Sequence, residues 1–128
     1  MESTVTEKIK ILIADDEPDI LVIMELILKS QGYEIIKGTN GIEALELASE
    51  HLPDLILLDI MMPEMDGWEV LRLLKTDPRT AEIPVAMVSA RDGSRPKITS
   101  MQEGALDYVT KPFDSLELLN KVKELLGK

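Results

Sequence analysis

Cysteine is absent from the 128 residues, which excludes a disulfide framework, a thiolate metal site and a cysteine nucleophile. Aromatic residues are nearly as scarce, with one Trp, two Tyr and one Phe. The core must therefore be aliphatic. The single histidine, His51, falls at the end of a predicted helix and reads as a surface residue rather than a ligand. No stretch approaches the roughly 18 apolar residues of a membrane span. The opening MESTVTEK carries two acids and no apolar run of signal-peptide length. A cytoplasmic location without membrane contact is expected.

Basic residues are thin in the first half. Residues 1 to 66 hold 15 acids against 4 bases, whereas residues 67 to 128 hold 9 against 10, so the charges are -11 and +1. Such a surface repels a phosphate backbone, and direct nucleic-acid binding is not expected. It is suited to concentrating a cation. What is plentiful is aliphatic side chain: hydrophobic residues make up 45% and charged ones 30%, a globular composition of one-domain size. A chain this long removes roughly two-thirds of its unfolded surface from water, enough for a core without staples.

Strand and helix patterns alternate throughout. Ile9 to Ala14, Tyr33 to Lys37, Leu55 to Leu58, Val85 to Val88 and Leu106 to Thr110 read as strands, the last at a sheet edge. Between them lie helical stripes: Ile20, Ile23, Met24, Ile27 and Leu28 after Pro18; Ile42, Leu45 and Ala48; Val70, Leu71 and Leu74; and Ile98, Met101 and Ala105, a thin stripe after Gly93 and Pro96. A final helix from about Ser115 carries Leu118, Leu119, Val122, Leu125 and Leu126, with Asp114 and Glu117 spaced as a capping box. Five strands alternating with five helices predict a doubly wound α/β fold, a parallel sheet covered on both faces.

Ligands in such sheets bind beyond the carboxyl ends of the strands. There the sequence places Asp15 and Asp16 after the first strand, Asp59 after the third, Ser89 after the fourth and Lys111 after the fifth. Lys37, Gly38 and Thr39 after the second read as turn residues. Converging carboxylates repel one another unless a cation lies among them, and oxygen ligands suit a hard, partly hydrated Mg²⁺. Lys111 adds a fixed positive charge for an anion. The set is suited to phosphoryl transfer onto a carboxylate, with Ser89 donating to a phosphoryl oxygen. Each part has a plainer reading: an Asp-Asp pair can be a helix cap in a solvated turn, and the seven Met can be core filler or loop residues.

The segments ILIADDEP, LILLDIMMPEMDG, PVAMVSA and DYVTKPF, in this order and spacing, resemble the receiver domain of two-component response regulators, the CheY-like family. The resemblance spans about Lys8 to Leu126, so residues 1–7 are expected to be a short tail and 8–127 the receiver (response regulatory) domain. It implies a flavodoxin-like (βα)5 sheet in the order 2-1-3-4-5. It further implies Asp59 as phosphoacceptor, Asp15, Asp16 and the Met61 backbone carbonyl around Mg²⁺, and Ser89 and Lys111 at the phosphoryl group. Ser89 and Tyr108 would be the switch pair, and the Lys111-Pro112 peptide would be cis. A sensor histidine kinase or phosphotransfer protein would donate the phosphoryl group. The fourth predicted helix, fifth strand and fifth helix would present the altered surface to a downstream target or output domain, as monomer or phosphorylation-dependent dimer. The only catalysis implied is of its own phosphotransfer and dephosphorylation. Met61 and Arg91, two residues past Asp59 and Ser89, are expected to slow loss of the phosphoryl group. Three other readings stay open: a receiver-like interaction module that accepts no phosphate, a small Mg²⁺-dependent phosphatase with an Asp nucleophile, and a flavodoxin-like cofactor binder. The phosphatase pattern D-x-D is missing from Asp15-Asp16-Glu17, and DDEP puts carboxylates where a cofactor phosphate needs glycine and N–H groups.

Overall fold

Short aliphatic runs bounded by turn residues become strands covered on both faces, because either face left in water would expose Leu, Ile or Val. The computed structural model describes residues 8–90, 107–111 and 113–127, with positions 89, 90 and 108 described by backbone alone. Its strands are β1 (Lys10–Ala14), β2 (Glu34–Gly38), β3 (Leu55–Asp59), β4 (Val85–Ala90) and β5 (Asp107–Lys111). All pair in parallel in the order β2-β1-β3-β4-β5, with β5 at an edge as expected. The described helices are α1 (Pro18–Lys29), α2 (Gly41–His51), α3 (Gly67–Thr76) and α4 (Ser115–Leu126). The expected helix over Ile98, Met101 and Ala105 lies outside the described residues, as do Gly93, Pro96 and the tail.

Alternation along each strand divides the core in two. Leu12, Ile56, Leu58, Val85 and Met87 pack beneath α2 and α3, against Ala44, Ala48, Trp68, Leu71 and Leu74. Ile11, Ile13, Leu55, Leu57, Val88 and Val109 pack beneath α1 and α4, against Met24, Leu28, Leu118 and Val122. Full burial of one such side chain is worth about 1.5–3 kcal/mol relative to exposure, so the sheet holds its helices firmly.

Two helical faces differ from the expected stripes. In α1 the buried residues are Leu21, Met24 and Leu28, while Ile23 is half exposed. In α2 they are Gly41, Ala44 and Ala48, and Ile42 faces outward. In α2 the cause is close approach: a Cβ at Gly41 would lie 2.5 Å from the Met65 carbonyl oxygen and 2.8 Å from Val70. Only small residues fit there. Helix starts follow the sequence more closely. Asn40 and Asp66 accept from the N–H groups of Glu43 and Glu69, and Asp114 with Glu117 forms the expected capping box.

Between α3 and β4 the chain is pinned from inside. Thr80 Oγ1 donates to the Leu74 carbonyl at 2.7 Å, and Lys75 Nζ donates to those of Ala81 (3.1 Å) and Ile83 (2.9 Å). Burial lowers the Lys75 pKa from its ordinary value. These bonds hold the turn that leads from α3 into β4.

Candidate functional site

Asp15, Asp59 and Lys111 come together because each continues an alternation already buried. Ile11 and Ile13 lead to Asp15, Leu55 and Leu57 to Asp59, and Val109 to Lys111, all on the α1 and α4 side of the sheet. Parallel register stops these runs at one edge: Ala14 pairs with Leu58, Asp59 with Val88, and Ala90 with Lys111. Asp15 is 1% and Asp59 3% exposed. Two nearly buried carboxylates side by side are costly unless compensated.

Lys111 compensates Asp15 fully and Asp59 only in part. Its Nζ donates to Asp15 Oδ2 at 2.9 Å and to Glu17 Oε1 at 3.0 Å, and lies 3.6 Å from Asp59 Oδ1. Burial alone would lower its pKa, but the bonds to Asp15 and Glu17 and the Asp59 charge outweigh that and raise it. Lys111 is therefore a permanent cation. The balance at Asp59 goes the other way. Burial, then the charge of Asp15, pushes its carboxyl from the ordinary 3.8 up to about 7, against the pull of Lys111 and a long 3.4 Å bond from the Met61 N–H. Asp59 lacks enough positive charge nearby to ionise freely.

One oxygen each from Asp15, Asp16 and Asp59 lies within 4.8 Å of the others. Three hard oxygen donors converging in this way fit a divalent cation such as Mg²⁺. Asp16 is exposed, so the cluster opens to water on one side. The Asp-Asp pair is not spent on capping: Glu17 is the N-cap of α1, its side chain makes no cap bond, and Asp15 Oδ1 instead accepts from the Glu17 N–H at 2.9 Å. Asp16, Glu17, Asp59, Met61 and Lys111 line a cleft of about 290 Å³. A larger hollow of about 490 Å³, lined by Lys8, Lys29, Tyr33 and Glu34 among others, lies at the opposite sheet edge, far from these carboxylates.

The loop carrying Met61 is held tightly. Ile60 N–H donates to the Val88 carbonyl and Gly67 N–H to that of Ile60. A Cβ at Gly67 would come within 2.3 Å of the Asp59 carbonyl oxygen, so only glycine lets α3 start this close to the end of β3. Glu64 takes a left-handed φ of 71°, with Met65 N–H donating to the Pro63 carbonyl at 2.7 Å. This tight turn brings the chain back into α3.

Ser89 occupies the same edge of β4, paired with Thr110, and Tyr108 pairs with Met87 in β5. Their side chains, Arg91 and the Lys111-Pro112 peptide lie outside the described residues. The Met61 side chain is exposed at the cleft. His51 ends α2 beside Glu50, apart from the acidic cluster. Glu17 received no role from the sequence, although it stands within DDEP. Its pairing with Lys111 joins residues 94 positions apart and has no local signature.

A family model described as the response regulator receiver domain matches residues 11–123. The chain belongs to that family. Among curated relatives, it is 44% identical over 119 residues to the DNA-binding dual master transcriptional regulator RpaA of Synechocystis sp., covering 93% of this chain and 49% of the relative. It is 42% identical over 116 residues to the response regulator PleD of Caulobacter vibrioides, covering 91% of this chain and 26% of that protein. The receiver thus spans half or less of either relative. Among solved structures, a response regulator of Chloroflexus aurantiacus superposes with a TM-score of 0.90 at 33% identity, covering 95% of this chain and all of the other. The receiver domain of the Pseudomonas aeruginosa sensor histidine kinase PA1611, with a magnesium ion coordinated in its active-site cleft, gives 0.86 at 27%, with 95% and 100% covered. The receiver's sheet order is the flavodoxin-like, CheY-like one, and none of its described helices is long and apolar enough to cross a membrane.

Proposed function

We propose that this receiver is a phosphorylation switch that accepts a phosphoryl group on Asp59 in a Mg²⁺-dependent reaction. The carrying observation is the geometry of one edge: a buried Asp59 3.6 Å from the Lys111 ammonium, beside an Asp15/Asp16 pair that can hold a cation. Asp15, Asp16, Asp59 and the Met61 carbonyl would hold Mg²⁺, which when bound supplies positive charge that keeps Asp59 ionised and neutralises the transferring phosphoryl oxygens.

An Asp59 carboxylate oxygen attacks phosphorus of a phosphohistidine on a kinase or phosphotransfer protein, or of a small phosphodonor. The new bond is an acyl phosphate O–P bond. The donor's P–N or P–O bond breaks, and its electron pair leaves with the imidazole or the donor oxygen, which takes up a proton from water. Asp59 needs no general base once ionised. Lys111 turns from the carboxylates toward a phosphoryl oxygen, and Ser89, at the same edge, donates to another. Movement at Ser89 and Tyr108 passes the change to the face around β5 and α4, toward a downstream partner or output domain. Residues 8–127 form the switch, and Met61 with Arg91 slows its return.

The test is mass spectrometry after incubation with a small phosphodonor. One added phosphoryl group, requiring Mg²⁺ and lost in Asp59→Asn, is the expected result. No addition to the wild type in Mg²⁺ would make the protein an inert interaction module, and a label that persists in Asp59→Asn would move the acceptor elsewhere.

A further inference from the structure

The geometry points to Glu17 as a positioning residue that occupies Lys111 before the phosphoryl group arrives, and so sets how readily the site takes an anion. This rests on the phosphorylation reading and concerns a residue outside the acidic trio that could hold a cation. Lys111 has three N–H donors. One goes to Asp15 Oδ2 and one to Glu17 Oε1, while Asp59 Oδ1 is at 3.6 Å. Asp15 cannot turn away, since it is 1% exposed and its other oxygen accepts the Glu17 N–H. The Glu17 side chain is 62% exposed, so its carboxylate is the partner that can let go.

To bring an N–H within hydrogen-bond distance of a phosphoryl oxygen at Asp59, whose carboxylate now lies 3.6 Å away, the ammonium shifts off Glu17, the partner free to release it. In the resting state that carboxylate holds the ammonium toward the cleft mouth. Released, it swings into water at little cost. Removing the contact should favour the anion-bound state by the worth of one partly exposed ion pair, a two- to fivefold effect in affinity, on the order of what such pairs contribute.

Beryllofluoride, a phosphoryl mimic, is titrated into the protein at saturating Mg²⁺ while the fluorescence of Trp68, at the start of α3, is followed. Glu17→Gln removes the charge and the ionic bond. Glu17→Asp keeps the charge but is one methylene too short to reach Lys111 from the same backbone. Both variants should bind the mimic about two- to fivefold more tightly than wild type and react correspondingly faster with a small phosphodonor. Equal or weaker binding by both would overturn the assignment. Tightening in Glu17→Gln alone would also overturn it, because the effect would then be one of field and not of contact. Failure of the wild type itself to bind the mimic would instead refute the phosphorylation reading beneath it.

Discussion

Asp59→Asn should stabilise the metal-free protein, and the gain should depend on pH in a direction the site dictates. The Asp59 carboxyl is raised from 3.8 to about 7 because it is buried beside Asp15 and Lys111 does not fully offset this. Between those values the native state keeps a proton that the unfolded chain has released, so stability falls as pH rises from about 4 to about 7. At about 1.4 kcal/mol for each unit, the ionised carboxylate costs the fold about 4 kcal/mol near pH 8. Asparagine carries no such charge. In a chelator at about pH 8 the variant should be more stable by about 4 kcal/mol, a rise in melting temperature of roughly 10–15 °C for a domain this size. Near pH 5 most of the native Asp59 is already neutral, and the gain should shrink to roughly 1–2 kcal/mol. Urea denaturation followed by far-UV circular dichroism measures both values. Mg²⁺ should raise the wild type more than the variant, because a cation repays the same cost and stabilises whichever state binds it. A variant no more stable than wild type near pH 8, or one whose advantage is the same at both pH values, would refute the account of Asp59 as an under-compensated buried charge.

Gly67→Ala should cost about 1–3 kcal/mol, because its Cβ meets the Asp59 carbonyl oxygen at 2.3 Å and either α3 or β3 must shift. Urea midpoints measure this, and wild-type stability would mean that the loop yields freely. Asp114→Ala should lose about 1 kcal/mol through the capping box of α4, read by thermal melting, whereas an unchanged melt would show the box to be idle. Met61→Asn and Arg91→Ala should each speed loss of the phosphoryl group, followed as decay of the phosphorylated mass after donor removal. Unchanged decay in both would dismiss any part for them in restraining water.

Much of this protein was legible in order and spacing. Five short aliphatic runs, each stopping at a polar residue, suffice for a parallel sheet with Asp15, Asp16, Asp59, Ser89 and Lys111 along one edge, since a strand's end and its alternation are local properties of the chain. The capping residues Asp114 and Glu117 were equally local. Tertiary structure decided what depends on distance between elements. Ile42 looked like a core residue of α2 by period, yet α2 buries Gly41, Ala44 and Ala48, and at Gly41 the approach of Met65 and Val70 leaves no room for a side chain. Likewise no pattern in DDEP reveals that Glu17 reaches Lys111, or that burial beside Asp15 raises the Asp59 pKa. Those facts are sums over side chains brought together by folding, and hydrophobic periodicity has no register for them.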